Sequence, residues 1–66
     1  MGAVLEKTPE AFLREAAEAR QEASRFRRAA LIIGDERVVD SLKSRASELE
    51  ALATMLEARA TKALAK

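Results

Sequence analysis

Apolar residues recur along this chain at steps that alternate between four and three, and they do so twice. The first series is Phe12, Ala16, Ala19, Ala23, Phe26, Ala30 and Ile33; the second is Val39, Leu42, Ala46, Leu49, Ala53, Leu56, Ala60 and Ala63. An α-helix turns once in about 3.6 residues, so a repeat of about 3.5 keeps one stripe on one side. Each series therefore predicts a helix with a single apolar seam. Gly34-Asp35 stands between them, and a connection this short makes the two helices antiparallel neighbours. The fold class that follows is all-α: an antiparallel helical hairpin, expected to assemble into a four-helix bundle.

The local signals agree with helices over about residues 9–33 and 36–64. Thr8 can cap a free backbone N–H, Pro9 suits the first helical position, and Glu10 meets the positive end of the helix. Gly34 is read as the stop of the first helix, because glycine tolerates a left-handed backbone. Asp35 is the expected N-cap of the second helix, Glu36 lies in its first turn, and Lys62 and Lys66 lie near its negative end. Residues 1–7 read as a flexible N-terminal arm whose Val4 and Leu5 rest on the bundle end. Residues 8–66 read as one domain.

The seams can be matched by size. Take Phe12, Ala19, Phe26, Ile33 and Leu42, Leu49, Leu56, Ala63 as d positions, and Ala16, Ala23, Ala30 and Val39, Ala46, Ala53, Ala60 as a positions. Antiparallel helices oppose a to d. The layers become Phe12 with Ala60, Ala16 with Leu56, Ala23 with Leu49, Phe26 with Ala46, Ala30 with Leu42 and Ile33 with Val39. Small faces large in nearly every layer, which is how cores interdigitate without voids. Ala19 with Ala53 is the thin exception. Beside the seam, Arg20 is expected near Glu50 and Glu15 near Arg59.

Two seams do not close a core. Leu13, Leu31, Ile32, Val38, Leu52, Met55 and Leu64 lie beside or off the strict repeat. A chain of 66 residues buries little surface by itself, and with no Cys and no His it lacks the disulfides and the usual zinc or haem ligands that staple small folds. Oligomerisation is the remaining route to burial. The expected interface comprises Phe12, Ala16, Ala19, Ala23, Phe26, Ala30, Ile33, Val39, Leu42, Ala46, Leu49, Leu52, Ala53 and Leu56. The partner is a second copy or a heterologous helical protein.

Catalysis finds no support in the sequence. Glu15, Glu18, Glu22, Glu48, Glu50 and Glu57 fall outside the a and d positions, so they read as a solvated face rather than as an inward carboxylate metal site, which would also want His. Ser24, Ser41, Ser44 and Ser47 have no His to activate them. Two Gly residues make no phosphate loop. No catalytic, cofactor or metal residues are assigned, and no cofactor is expected. The start MGAVLEKTPE lacks the basic and long apolar regions of a secretory signal, and the longest apolar run, residues 29–33, is far too short to span a bilayer. A reducing, cytoplasmic setting suits the lack of Cys.

Two patches admit a functional reading. Arg20, Arg25, Arg27 and Arg28 form the densest positive cluster, a possible contact for nucleic acid phosphates. Against that stand Glu15, Glu18 and Glu22 on the same helix, a net charge of only +1, and the placement of Phe12 and Phe26 in the seam, which leaves no aromatic for base stacking. Residues 30–33 read either as a docking patch or as a bundle end sealed by Val38, Val39 and Leu42.

Three resemblances extend this reading. The layer pattern over residues 12–63 resembles the plasmid copy-number regulator Rop, which implies a dimeric antiparallel bundle that binds RNA loops. The segments FLREAAEARQEASRF and LKSRASELEALA are similar to short uncharacterised two-helix proteins of alphaproteobacteria, which implies no activity. GDERVVDSLKSRASELEALATML is similar to the second helix of small type III secretion co-chaperones, which implies a hairpin completing its core with another protein. The leading expectation is a non-enzymatic interaction protein that self-associates. The alternatives are a chaperone-like adaptor and an RNA-binding bundle.

Overall fold

The structure is a computed structural model that describes residues 8–65. It contains two antiparallel helices, α1 (Pro9–Ile32) and α2 (Glu36–Leu64), and no strand among the described residues. The hairpin expected from the two series is therefore the fold. The arm at residues 1–7, with Val4 and Leu5, and Lys66 lie outside the described residues.

The helix starts form as their residues dictate. Thr8 is the N-cap of α1 in extended conformation, its Oγ1 accepting from the Ala11 N–H at 3.1 Å, and Pro9 opens the helix. Asp35 caps α2, with Oδ1 accepting from the backbone N–H of Arg37 at 2.9 Å and of Val38 at 3.3 Å. Each cap satisfies donors that the first helical turn leaves without a carbonyl partner.

The end of α1 differs from the glycine stop expected of it. Ile32 is the last helical residue, and Ile33 is the C-cap with φ −81° and ψ 134°. Its N–H still bonds the Ala29 carbonyl at 3.1 Å. Gly34 does not take a positive φ, and a Cβ added to it would meet nothing within 4 Å. The helix is ended by an extended residue, not by a left-handed glycine. Ile33 consequently leaves the seam and is 38% exposed, so the expected Ile33–Val39 layer is not a closed one.

The core runs along the hairpin's midline. Its buried members are Ala16, Ala19, Ala23, Ala30, Ala46, Leu49, Ala53, Leu56 and Ala60. Every one is an a or d residue of the two series. Phe12 and Phe26 pack half-buried against its continuous part, and Val39 and Leu42 are half-buried nearer the turn. Ala63, the final d position, is exposed near the end of α2. Alanine along the seam lets helices approach toward the short end of the usual 8–10 Å interaxial range. The result is a slab one layer of side chains thick at its core, within overall extents of 51 × 27 × 13 Å.

Candidate interaction surface

A two-helix slab has two broad flanks, one turn end and one open end, and this sequence treats each differently. One flank is clasped by charge. Arg27 donates through Nε to Glu50 Oε2 at 2.9 Å and through Nη2 to Glu50 Oε1 at 2.6 Å. Arg20 repeats the arrangement with Glu57, at 2.9 and 2.7 Å. Nη2 of each arginine also reaches a hydroxyl at 3.4 Å, Thr54 for Arg20 and Ser47 for Arg27. These two-pronged contacts fix geometry better than a single ion pair does. The hydrogen bond and the charge of its partner raise the pKa of each guanidinium. The same arginine hydrogen bonds hold Glu50 and Glu57 below the usual carboxylate range. All four side chains stay well exposed, at 39–46%. Arg20 therefore closes on Glu57 rather than on the expected Glu50, which Arg27 occupies. Glu50 and Glu57 each follow a d residue, Leu49 and Leu56, and so share the e position, so the heptad labels do not choose between them and the folded hairpin does.

On the opposite flank no two-pronged clasp joins the helices among the described residues. Helix periodicity turns Val38, Leu52 and Met55 away from Glu50 and Glu57, and all three are exposed. Around them stand Glu18, Glu22 and Arg25 on α1, with Arg45, Glu48, Arg59 and Lys62 on α2, all but Arg45 and Glu48 outside any ion pair among the described residues. Arg45 meets Glu48 one turn along its own helix at 3.3 Å.

At the turn end, Leu31 is 86% and Ile32 84% exposed. The hairpin's own second helix does not seal them. A step of 100° per residue carries Leu31 and Ile32 off the seam that Ala30 occupies, and Val38 is itself exposed. At the open end, Phe12, Arg59, Lys62 and Ala63 line an open depression of about 310 Å³. Arg59, expected near Glu15, stands on its rim.

The expected interface residues thus divide. Ala16, Ala19, Ala23, Ala30, Ala46, Leu49 and Ala53, together with Leu56, are covered by the opposite helix of the same hairpin. Phe12, Phe26, Val39 and Leu42 are partly covered, and Ile33 and Leu52 are open. The four arginines divide too. Arg20 and Arg27 are engaged by glutamates, whereas Arg25 and Arg28 point elsewhere around α1 and make no hydrogen bond or ion pair among the described residues. The helix thus distributes a sequence cluster over several directions. No group of three or more acidic side chains among the described residues is placed to hold a metal ion, and no described helix is long and apolar enough to cross a membrane.

No protein-family model, curated protein or solved structure matches the chain. The surface has to be read from its own residues.

Proposed function

We propose that this chain is a non-enzymatic interaction protein that self-associates, and that it does so with the apolar residues its seam leaves uncovered. One observation carries the reading: the buried core is alanine plus two leucines, while most of the larger apolar side chains are outside it. Leu13, Leu31, Ile32, Leu52, Met55 and Leu64 are all at least 40% exposed. Large apolar side chains left exposed in this number point to an interface, and so small a core gains from further burial. The seam alanines serve the hairpin itself. The anchors we assign to a second molecule are Phe26, Ile33, Leu42 and Leu52, joined by the flank and turn residues. The setting we assign is the cytoplasm, which suits a chain without Cys.

Sedimentation at several concentrations tests the reading. Self-association should appear in the micromolar range. A cooperatively melting helical monomer throughout that range removes it. A loosely packed monomer that tightens on adding a second helical protein would favour the adaptor reading instead. RNA recognition draws less support, because Arg20 and Arg27 are already held by carboxylates.

A further inference from the structure

We infer that the occupant of the unclasped flank is a second copy of this chain lying antiparallel to the first, with the turn of each copy set over the open-end depression of the other. The inference rests on the self-association proposed above and adds the face, the direction and the contacts.

The observations are complementary in shape, charge and position. The turn end offers a projecting apolar residue, Ile32, on the unclasped flank beside exposed Val38. The open end offers a depression with Phe12 and Ala63 in its lining and two cations, Arg59 and Lys62, on its rim. By helix periodicity this depression opens on the same flank as Ile32. The turn carries Asp35, so an acid at one end comes toward the two cations at the other. Ile32 and Phe12 are about 20 residues apart, or roughly 30 Å of helix, so one hairpin cannot bring its own two ends together. A two-fold axis perpendicular to the helices brings both unlike pairs together at once.

The middle of the flank fits the same axis. Glu18 and Arg25 are exposed on it, at nearly equal steps either side of the midpoint between Phe12 and Ile32. The two-fold therefore sets Glu18 of each copy near Arg25 of the other. Such charge matching fixes orientation and register more than it adds affinity. The copies of Glu22 come near the axis and oppose each other, which keeps the association modest. A face two helices wide, at about 10 Å each, and about 36 Å long over the 24 residues of α1 projects roughly 700 Å², close to the roughly 800 Å² per partner of a standard interface. The contact is isologous, so it closes at two copies; a repeated head-to-tail contact would grow without limit.

The chain has no cysteine, which makes cross-linking clean. Ile32→Cys and Ala63→Cys are both at exposed positions, and helical melting of each variant checks that it folds. A short bis-maleimide should join the two variants when mixed and should join neither to itself. Sedimentation of the unaltered chain should stop at the dimer, and Ile32→Asp should weaken it about tenfold or more. A monomeric unaltered chain overturns this inference and the self-association together. A dimer in which Ile32→Cys cross-links to itself overturns only the antiparallel arrangement. Species that keep growing with concentration, with the mixed cross-link present, overturn the closed pair. An in-chain cross-link in a Val4→Cys/Ala63→Cys variant, with the mixed pair silent, would assign the depression to the chain's own N-terminal residues and overturn the inference.

Discussion

Replacing Leu49 by Ala tests the core more directly than any other single change. Leu49 is 7% exposed and Leu56 6%, and among the described residues they are the only buried ones larger than alanine. The substitution removes three carbons at about 0.8 kcal/mol for each buried methylene, or roughly 2.4 kcal/mol of transfer free energy. Buried Leu→Ala changes cost about 2–5 kcal/mol in all, the upper end where the walls cannot relax. Here the core is one layer thick and both flanks meet solvent, so collapse and wetting are easy and about 2–3 kcal/mol is expected. For a domain of this size each kcal/mol shifts the melting temperature by about 4–8 °C, which gives a drop of roughly 8–24 °C. The assay is denaturation followed by helical circular dichroism at one fixed chain concentration. Two controls set the scale: Leu52→Ala, at a residue 40% exposed, should cost about 1 kcal/mol or less, and Arg14→Ala, on the exposed outer face of α1, about 0.5 kcal/mol or less. A loss for Leu49→Ala no larger than that for Arg14→Ala would refute the assignment of the seam.

Other consequences are as easily checked. Gly34→Ala should hold or gain stability, by about 0.4–1 kcal/mol, because Gly34 has no positive φ and an added Cβ meets nothing within 4 Å; a marked loss in the same melt would restore the left-handed stop. Asp35→Ala should cost about 1 kcal/mol by removing the acceptor for the Arg37 and Val38 N–H groups, and Asp35→Asn should recover most of it. Glu50 and Glu57 are held below the ordinary glutamate value of 4.5 by Arg27 and Arg20. Their contribution is therefore complete above that value and is lost as pH falls through the lowered one, so a Glu50→Gln/Glu57→Gln chain should show a shallower loss of melting temperature below about pH 4.5 than the unaltered chain. If folding and association are coupled in a dimer, each tenfold rise in concentration adds about 0.7 kcal/mol per chain, or roughly 3–6 °C; a melting temperature independent of concentration would argue for a self-sufficient hairpin.

Most of the fold could be read from the spacing of apolar residues, because that spacing is imposed by helix geometry. Thr8 and Asp35 acted as caps as their side chains require, and every buried residue belongs to one of the two series. The turn was less legible. Gly34 permits a left-handed conformation without compelling one, and Ile33 ended the helix with an ordinary extended backbone. The charge partners were not legible. In the expected layers Arg20 lies nearer Glu50 than Glu57, and both glutamates hold e positions, so no rule of register or heptad position selected Glu57. The division into clasped and open flanks could not come from the seam at all, since it depends on the residues on either side of it. The arginine cluster shows the converse error: neighbours in sequence diverge by 100° per residue on a helix, so Arg27 and Arg28 do not share a face.

The alanine seam accounts for more than the closeness of the helices. Large residues at every layer would hold the axes apart and leave the flanking side chains out of reach across the groove. With alanine in so many layers, an arginine at an e position spans the groove with both Nε and Nη2, as Arg20 and Arg27 do. Each clasp engages the polar groups of one flank within the hairpin, where Leu13 and Leu64, in line with Arg20 and Glu57, remain exposed beside the clasps. The same thin seam has no volume for Leu52, Met55 or Ile32, which therefore stand on the unclasped flank, exposed. Close approach thus engages the charges of one face of the slab, while the other, with Val38, Leu52, Met55 and Ile32 exposed and no clasp among the described residues, is the face on which the second copy is proposed to add burial.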